Sequence, residues 1–301
     1  MAQSPTTRLL GIDFFTGPLG VAVDRVIGVR DRSPPPGPAA IWETLAVGVT
    51  DVRLAETSPV VAPLMALAIP AVEDEVGGSI LVVAPSGPGL AVDLVRSVAY
   101  REALTTADLV LTDSGFMVLL WRLFSGVSLP RISGLKFMST ILARPELKGP
   151  GAVFWVMPSL REDQKNRAWL AAQGFPVTAA DVYVAPQYPG GGITDAELVA
   201  RIEARRPRLV MLAIGGGTQE RLGLMLRAQL SAPTSILCLG AAIAFLSGGQ
   251  AKIPLWADRL VLGWLLRLWS SPRKFWRRYW DALDLVVLLW LNREWLPPLR
   301  R

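Results

Sequence analysis

Short, unbroken apolar runs recur through the last three quarters of this chain, and they constrain its fold more than any other feature. Ile80 to Ala84, Asp108 to Thr112, Ala152 to Val156, Asp181 to Ala185, Leu209 to Ile214 and Ser235 to Leu239 have strand length, and the segments between them read as helices. A strand that is apolar at successive positions buries both of its faces. Such strands alternating with helices imply an α/β fold: a mostly parallel sheet with helices on both faces. Open sheets of this kind bind ligands at the carboxyl ends of their strands. That rule selects Pro85-Ser86-Gly87, Asp113-Ser114-Gly115, Met157-Pro158-Ser159 and Gly215-Gly216-Gly217.

With 51% hydrophobic residues, 301 residues are enough for a large core. Residues 1–30 read as a strand and a helix of that core, and residues 31–78, which begin with the breaker Ser33-Pro34-Pro35-Pro36-Gly37-Pro38, as a Pro-rich linker or insertion. The α/β core proper is expected over 79–257, followed by a basic, helical, amphipathic appendage over 258–301.

Histidine is absent and Cys238 is the single cysteine. These counts exclude Ser-His and Cys-His catalysis, the usual zinc sites and any intrachain disulfide, so a general base must be a carboxylate, Lys or Tyr. The first eight residues lack the basic start and apolar core of a signal peptide. Uncharged stretches such as Thr57 to Val72 are short and interrupted by Pro59, Pro63 and Pro70. A cytoplasmic location is expected.

Asp113 follows a strand and precedes an apolar helix. Its carboxylate could take a proton from a substrate hydroxyl, or it could simply cap that helix. Gly215, Gly216 and Gly217 allow a phosphate to approach the backbone at a helix N-terminus, and equally suit a tight strand-to-helix turn with Gln219 and Glu220 as ordinary first-turn residues. The formal charge of +6 is concentrated toward the C-terminus. There Ser271-Pro272 opens a helix whose first turn carries Arg273 and Lys274 against the helix dipole, an arrangement that an incoming anion would relieve. Phe275, Trp276, Tyr279, Trp280 and Leu283 form an apolar stripe beside Arg277 and Arg278. Indoles interleaved with cations favour the bilayer interface; packing on the domain or on a second subunit, giving a homo-oligomer, is the alternative. No nucleic-acid motif accompanies the charge, and no Asp-x-Asp pair is present to hold a metal–nucleotide.

The segments Arg101 to Asp113, Leu129 to Gly134, Gly215 to Glu220, Gly240 to Gly248 and Trp264 to Tyr279 occur in an order and at spacings that carry a family resemblance. The chain resembles bacterial glycosyltransferases of the WecG/TagA/CpsF type, which add an N-acetylmannosamine-type sugar to a polyprenyl-diphosphate-linked acceptor. The first segment looks like the one ending in the family's proposed catalytic Asp, and Arg131 to Gly134 like its Arg-(Val/Ile)-x-Gly element. Gly215 to Glu220 is similar to the family's Gly-x-Pro-x-Gln-Glu turn, and Trp264 to Tyr279 to the appendage that closes over the nucleotide diphosphate and touches the membrane. Departures accompany the matches: Ser86-Gly87 stand in a Thr-x-Asn element, Met157-Pro158 in a Gly-Gly turn, Gly217 at a Pro, Lys136 at an Asp and Ala244 at the Asp of the Phe-Asp loop.

The resemblance implies a Rossmann-like fold and a reaction without metal or other cofactor. Asp113 would be the base, with Ser86 and Gly87 lining the reaction centre and Arg131 beside it. Gly215, Gly216, Gln219 and Glu220 would hold the nucleotide-sugar donor, and Arg267, Lys274 and Arg277 would neutralise the departing diphosphate. The lipid-linked acceptor would be met at the inner leaflet through the C-terminal helices, in the synthesis of a cell-surface polysaccharide. The altered pocket residues also fit a non-catalytic relative that binds a nucleotide or lipid diphosphate as a scaffold. A dinucleotide enzyme would rest on the glycine triplet alone, without a spaced Gly-x-Gly-x-x-Gly.

Overall fold

The computed structural model describes residues 5–31, 78–240, 242–248, 280 and 283–300. The interior of the Pro-rich 31–78 segment lies outside the described residues, as do Arg267, Lys274 and Arg277 and the helix start at Ser271-Pro272.

Among the described residues the strands are β1 Thr6–Leu9, β2 Ile12–Phe15, β3 Ile80–Val83, β4 Leu109–Val110, β5 Val153–Met157, β6 Val182–Val184, β7 Leu209–Leu212 and β8 Ser235–Cys238. They form one sheet in the order β1-β2-β4-β3-β8-β7-β5-β6, parallel throughout except for the β1–β2 pair. The six strands expected from apolar runs are all present, with ends differing by a residue or two.

The sheet divides the core into two. Leu81, Val83, Phe154, Val156, Val210, Leu212, Ile236 and Cys238 face one side, while Ile80, Val82, Val153, Trp155, Leu209, Met211 and Leu237 face the other. This period-2 division of wholly apolar strands is the signature of a sheet buried on both faces. Among the described residues the α-helices of five residues or more are α1 Leu19–Ile27, α2 Val98–Thr105, α3 Gly115–Ser125, α4 Gly134–Leu142, α5 Leu160–Ala172, α6 Ala196–Arg205, α7 Thr218–Gln229, α8 Ala242–Leu246 and α9 Asp284–Asn292. α2, α3, α6, α7 and α9 cover the first face, and α1, α4, α5 and α8 the second.

The N-terminal stretch, read from sequence as one strand and a helix, contains two strands. Leu10 and Gly11 both take positive φ, 51° and 75°, which reverses the chain in a two-residue hairpin turn. Their amides donate to the carbonyls of Arg293 and Glu294, at 2.7 and 2.9 Å. A turn with a leucine at positive φ carries no local Asn-Gly signal; the partners that hold it lie almost the whole chain length away. The segment that supplies them follows α9, whose Leu285, Leu288 and Leu289 are buried in the first core.

Candidate active site

Four adjacent strands, β4, β3, β8 and β7, bring their carboxyl ends to one rim of the sheet. From β4 to β7 is three interstrand spacings, about 14 Å. The loops that leave this rim run almost directly into helices, so several helix N-termini, with their unpaired N–H groups, converge there.

Asp113 leaves β4 and is half-buried. It does not cap α3: Ser114 does, its Oγ accepting from Met117 N at 3.2 Å. The Asp113 carboxylate instead accepts from Gly134 N, the first residue of α4, at 2.8 Å through Oδ1. Arg131 Nε donates to the main-chain carbonyl of Asp113 at 3.1 Å, which holds the Arg131 side chain against the Asp113 loop. Thr112 fastens the same loop from beneath, its hydroxyl donating to Pro130 O at 2.6 Å and accepting from Ile132 N at 2.9 Å. Sequence reading missed Thr112, since its partners stand 18 and 20 residues away with no local pattern to announce them.

Gly87 and Ser86 arrive from β3. A Cβ on Gly87 would lie 3.1 Å from Ser114 Oγ, which places that residue directly against the Asp113 loop. Ser86 Oγ accepts from Gly89 N at 3.3 Å, beginning the helical turns that lead to α2. Gly134 is where three strand ends meet: a Cβ there would stand 3.5 Å from Ala84 Cβ, 3.6 Å from Leu239 O and 3.8 Å from Asp113 Oδ1. Asp113, Arg131, Gly87 and Gly134 thus form one cluster over β4, β3 and β8.

The glycine turn lies farther along the rim, after β7. Gly215 and Gly216 are exposed, and Gly215 has open space where a side chain would be. Gly217 has φ +86°, and a Cβ there would also meet Asp93 Oδ2 at 3.0 Å. Glycine is required at this position by both conformation and contact.

Gln219 and Glu220 are only 2% and 1% exposed, and their partners are backbone groups and each other. Glu220 Oε2 accepts from Gly217 N at 2.7 Å, and Oε1 from Gln219 Nε2 at 2.9 Å. Gln219 Nε2 also donates to Cys238 O at 3.2 Å, while its Oε1 accepts from Gly240 N at 2.7 Å. These side chains therefore tie the turn after β7 to the turn after β8, beneath the surface a ligand would touch.

Burial pushes the Glu220 carboxyl up to about 7, and the nearby Asp93 charge adds to the rise, against the opposing pull of its hydrogen bonds. Burial, with the Glu220 charge behind it, also raises the Cys238 thiol, which makes that sulfur a poor nucleophile. Arg221, another residue without a sequence-level role, donates through Nε to Gly217 O at 3.0 Å and through Nη1 to the carbonyls of Pro189 and Gly191. It fastens the loop after β6 onto the glycine turn. An arginine in a helix's first turn opposes the dipole, and that mismatch is the signal that could have flagged it.

Met157, where the resemblance has a glycine, is buried, and Ser159 caps α5 by accepting from Glu162 N at 3.3 Å. Ala244 is buried within α8.

A carboxylate thus stands at one end of this rim, and glycine amides with a helix N-terminus at the other. Residues 50–300 match the family described as Glycosyl transferase WecG/TagA/CpsF family. A curated relative, the N-acetylglucosaminyldiphosphoundecaprenol N-acetyl-beta-D-mannosaminyltransferase of Bacillus spizizenii, is 23% identical over 211 residues, 68% of this chain and 76% of its own length.

Proposed function

The chain belongs to the WecG/TagA/CpsF glycosyltransferase family, and on that premise we propose that it moves an N-acetylmannosamine-type sugar from a nucleotide diphosphate to a polyprenyl-diphosphate-linked acceptor. The observation that carries this reading is the position of Asp113, a half-buried carboxylate at the carboxyl rim of the sheet that accepts from the first amide of α4.

In the proposed reaction, Asp113 takes the proton of the acceptor hydroxyl as its oxygen attacks the anomeric carbon, and the nucleoside diphosphate leaves. Ser86 and Gly87 line the centre and Arg131 stands beside it. Gly215 and Gly216 offer backbone amides to the donor, and the α7 N-terminus offers its positive end. Gln219 and Glu220 serve the donor by fixing the turns that meet it. Arg267, Lys274 and Arg277 supply the cations for the leaving diphosphate, without a metal. A chelator should then leave turnover unchanged.

No described helix is long and apolar enough to cross a membrane. The lipid-linked acceptor named for the relative supports a cytoplasmic protein held at the inner leaflet through its C-terminal helices, serving polysaccharide synthesis. Incubation with nucleotide sugars and a polyprenyl-diphosphate acceptor tests the reading directly. Transfer is expected. The buried Ala244, where the family has an Asp, favours a second reading, a scaffold that binds the diphosphate without turnover. Nucleotide binding with neither transfer nor hydrolysis would select it.

A further inference from the structure

β6 is an outer strand of the sheet, and a cavity of about 720 Å³ opens along it. α5 walls the cavity on one side through Leu160, Asp163 and Arg167, α6 walls it on the other through Glu197 and Arg201, and Val182 to Pro186 form its floor. Because α5 covers one face of the sheet and α6 the other, the cavity lies across the open edge of the sheet. Two interstrand spacings, about 10 Å, separate β6 from β7 and its glycine turn, and five, about 24 Å, separate it from β4 and Asp113. Its volume falls in the ~300–1,000 Å³ range of small-ligand sites.

One lining residue is out of keeping with its surroundings. Asp163 is only 2% exposed, although it belongs to the strongly polar run Arg161 to Arg167. Its Oδ2 accepts from Arg167 Nη2 at 2.5 Å, while Oδ1 is buried and has no hydrogen-bond partner among the described residues. Buried carboxylate oxygens are almost always paired, and this open one belongs to a residue that lines a cavity able to bring a donor to it. Arg167 gives one N–H group to Asp163 and makes no other hydrogen bond among the described residues, with its side chain 35% exposed. Arg201, by contrast, is committed: Nη2 donates to Val182 O at 3.0 Å, Nη1 stands 3.8 Å from Glu197 Oε1, and the guanidinium lies over the Tyr183 ring at 5.5 Å.

The cavity thus presents an open carboxylate acceptor beside open guanidinium donors. An anion would meet Asp163 and Glu197, a cation would meet Arg167 and Arg201, and the four charges cancel, so neither sign of ligand is favoured. A neutral ligand whose neighbouring groups both donate and accept is favoured instead. A vicinal diol is such a ligand: one hydroxyl donates to Asp163 Oδ1 while the next accepts from Arg167. A nucleobase edge offers the same pairing but gains most from an aromatic face, and here the Tyr183 ring is already covered by Arg201. The apolar walls, Leu160, Val182, Val184, Ala185 and Pro186, are aliphatic and suit the C–H face of a sugar ring. We propose that this edge cavity is a binding site for a neutral saccharide, separate from the donor site at the carboxyl rim, with Asp163 and Arg167 as its polar contacts. The assignment stands on the cavity and does not rest on the transfer reaction.

The test is saturation-transfer NMR of the full-length protein with N-acetylglucosamine and with cellobiose. Transfer to the ring C–H protons of at least one of these sugars is expected. Affinity for it should fall about tenfold or more in Asp163→Leu and in Arg167→Met, the factor that one good hydrogen bond is worth. It should stay at the wild-type level in Asp113→Asn, which alters only the carboxyl rim. Arg167 is partly exposed, so its variant decides the matter if Asp163→Leu does not fold. No transfer to either sugar would overturn the proposal, and so would undiminished affinity in folded Arg167→Met. Displacement of the sugar by sodium acetate or by ethylammonium chloride would assign the cavity to a charged ligand, and loss of binding in Asp113→Asn would move the saccharide to the carboxyl rim; either result also overturns it.

Discussion

Replacing Asp113 in two ways separates its chemistry from its structural duty. The carboxylate accepts an amide hydrogen bond from Gly134 N at 2.8 Å, at a point where a glycine is packed among three strand ends. In Asp113→Asn the side-chain oxygen can keep that bond, so the fold is retained while the proton acceptor is lost. General-base catalysis contributes about 10²–10⁴-fold, and turnover should fall by that factor with nucleotide affinity nearly intact. In Asp113→Ala the buried Gly134 amide also loses its partner, at a cost of about 1–3 kcal/mol. At roughly 2–4 °C per kcal/mol for a domain of this order of size, calorimetry should show the alanine variant melting several degrees lower and the asparagine variant close to wild type. The paired measurement is sugar transfer to a polyprenyl-diphosphate acceptor, with nucleotide titration of all three proteins. An asparagine variant that turns over at the wild-type rate would remove Asp113 from the chemistry. An asparagine variant as unstable as the alanine one would show that the Gly134 bond needs the charge.

Glu220 makes stability depend on pH. Its folded-state value, about 7, lies above the usual glutamate range, so the folded protein binds this proton more tightly than the unfolded chain. The associated stability, on the order of 3 kcal/mol, is full below about pH 4.5 and is lost as pH rises through 7. Denaturant titrations from pH 5 to 8 should show this decline in wild type but not in Glu220→Gln; parallel curves would place the proton elsewhere. Gly217→Ala combines a positive φ with a contact 3.0 Å from Asp93, and a loss of about 1–2 kcal/mol with weaker donor binding is expected by thermal shift with and without nucleotide. Replacing Arg267, Lys274 and Arg277 together by alanine should raise the donor KM and flatten its dependence on salt, because fewer cations then face the diphosphate. An unchanged KM would exclude these residues from the donor site.

The buried carboxylate beneath the glycine turn gives the Gln-Glu pair a physical role that a motif match does not state. Gln219 and Glu220 join the turns after β7 and β8 through four short polar contacts. A substitution there would move two loops at once, with its effect on donor affinity arriving through Gly217 and Gly240.

The apolar runs by themselves determined the parallel sheet, because a strand that is apolar on both faces can be stable only between two layers of helices. They also placed Asp113 and the glycine turn at its carboxyl rim. The absence of histidine likewise limits the available bases to carboxylate, Lys or Tyr. What the sequence left open, the tertiary structure decided. It gave the cap of α3 to Ser114 and turned the Asp113 carboxylate to Gly134, a bond across 21 residues. It buried Gln219 and Glu220, which in one dimension look like first-turn polar residues free to meet a ligand. It also turned one half of the apolar helix α3 outward. Each outcome depends on which distant backbone groups and side chains come within hydrogen-bonding or packing reach. Local pattern is silent on that, because helical and strand periods fix the direction of a side chain but not its partner.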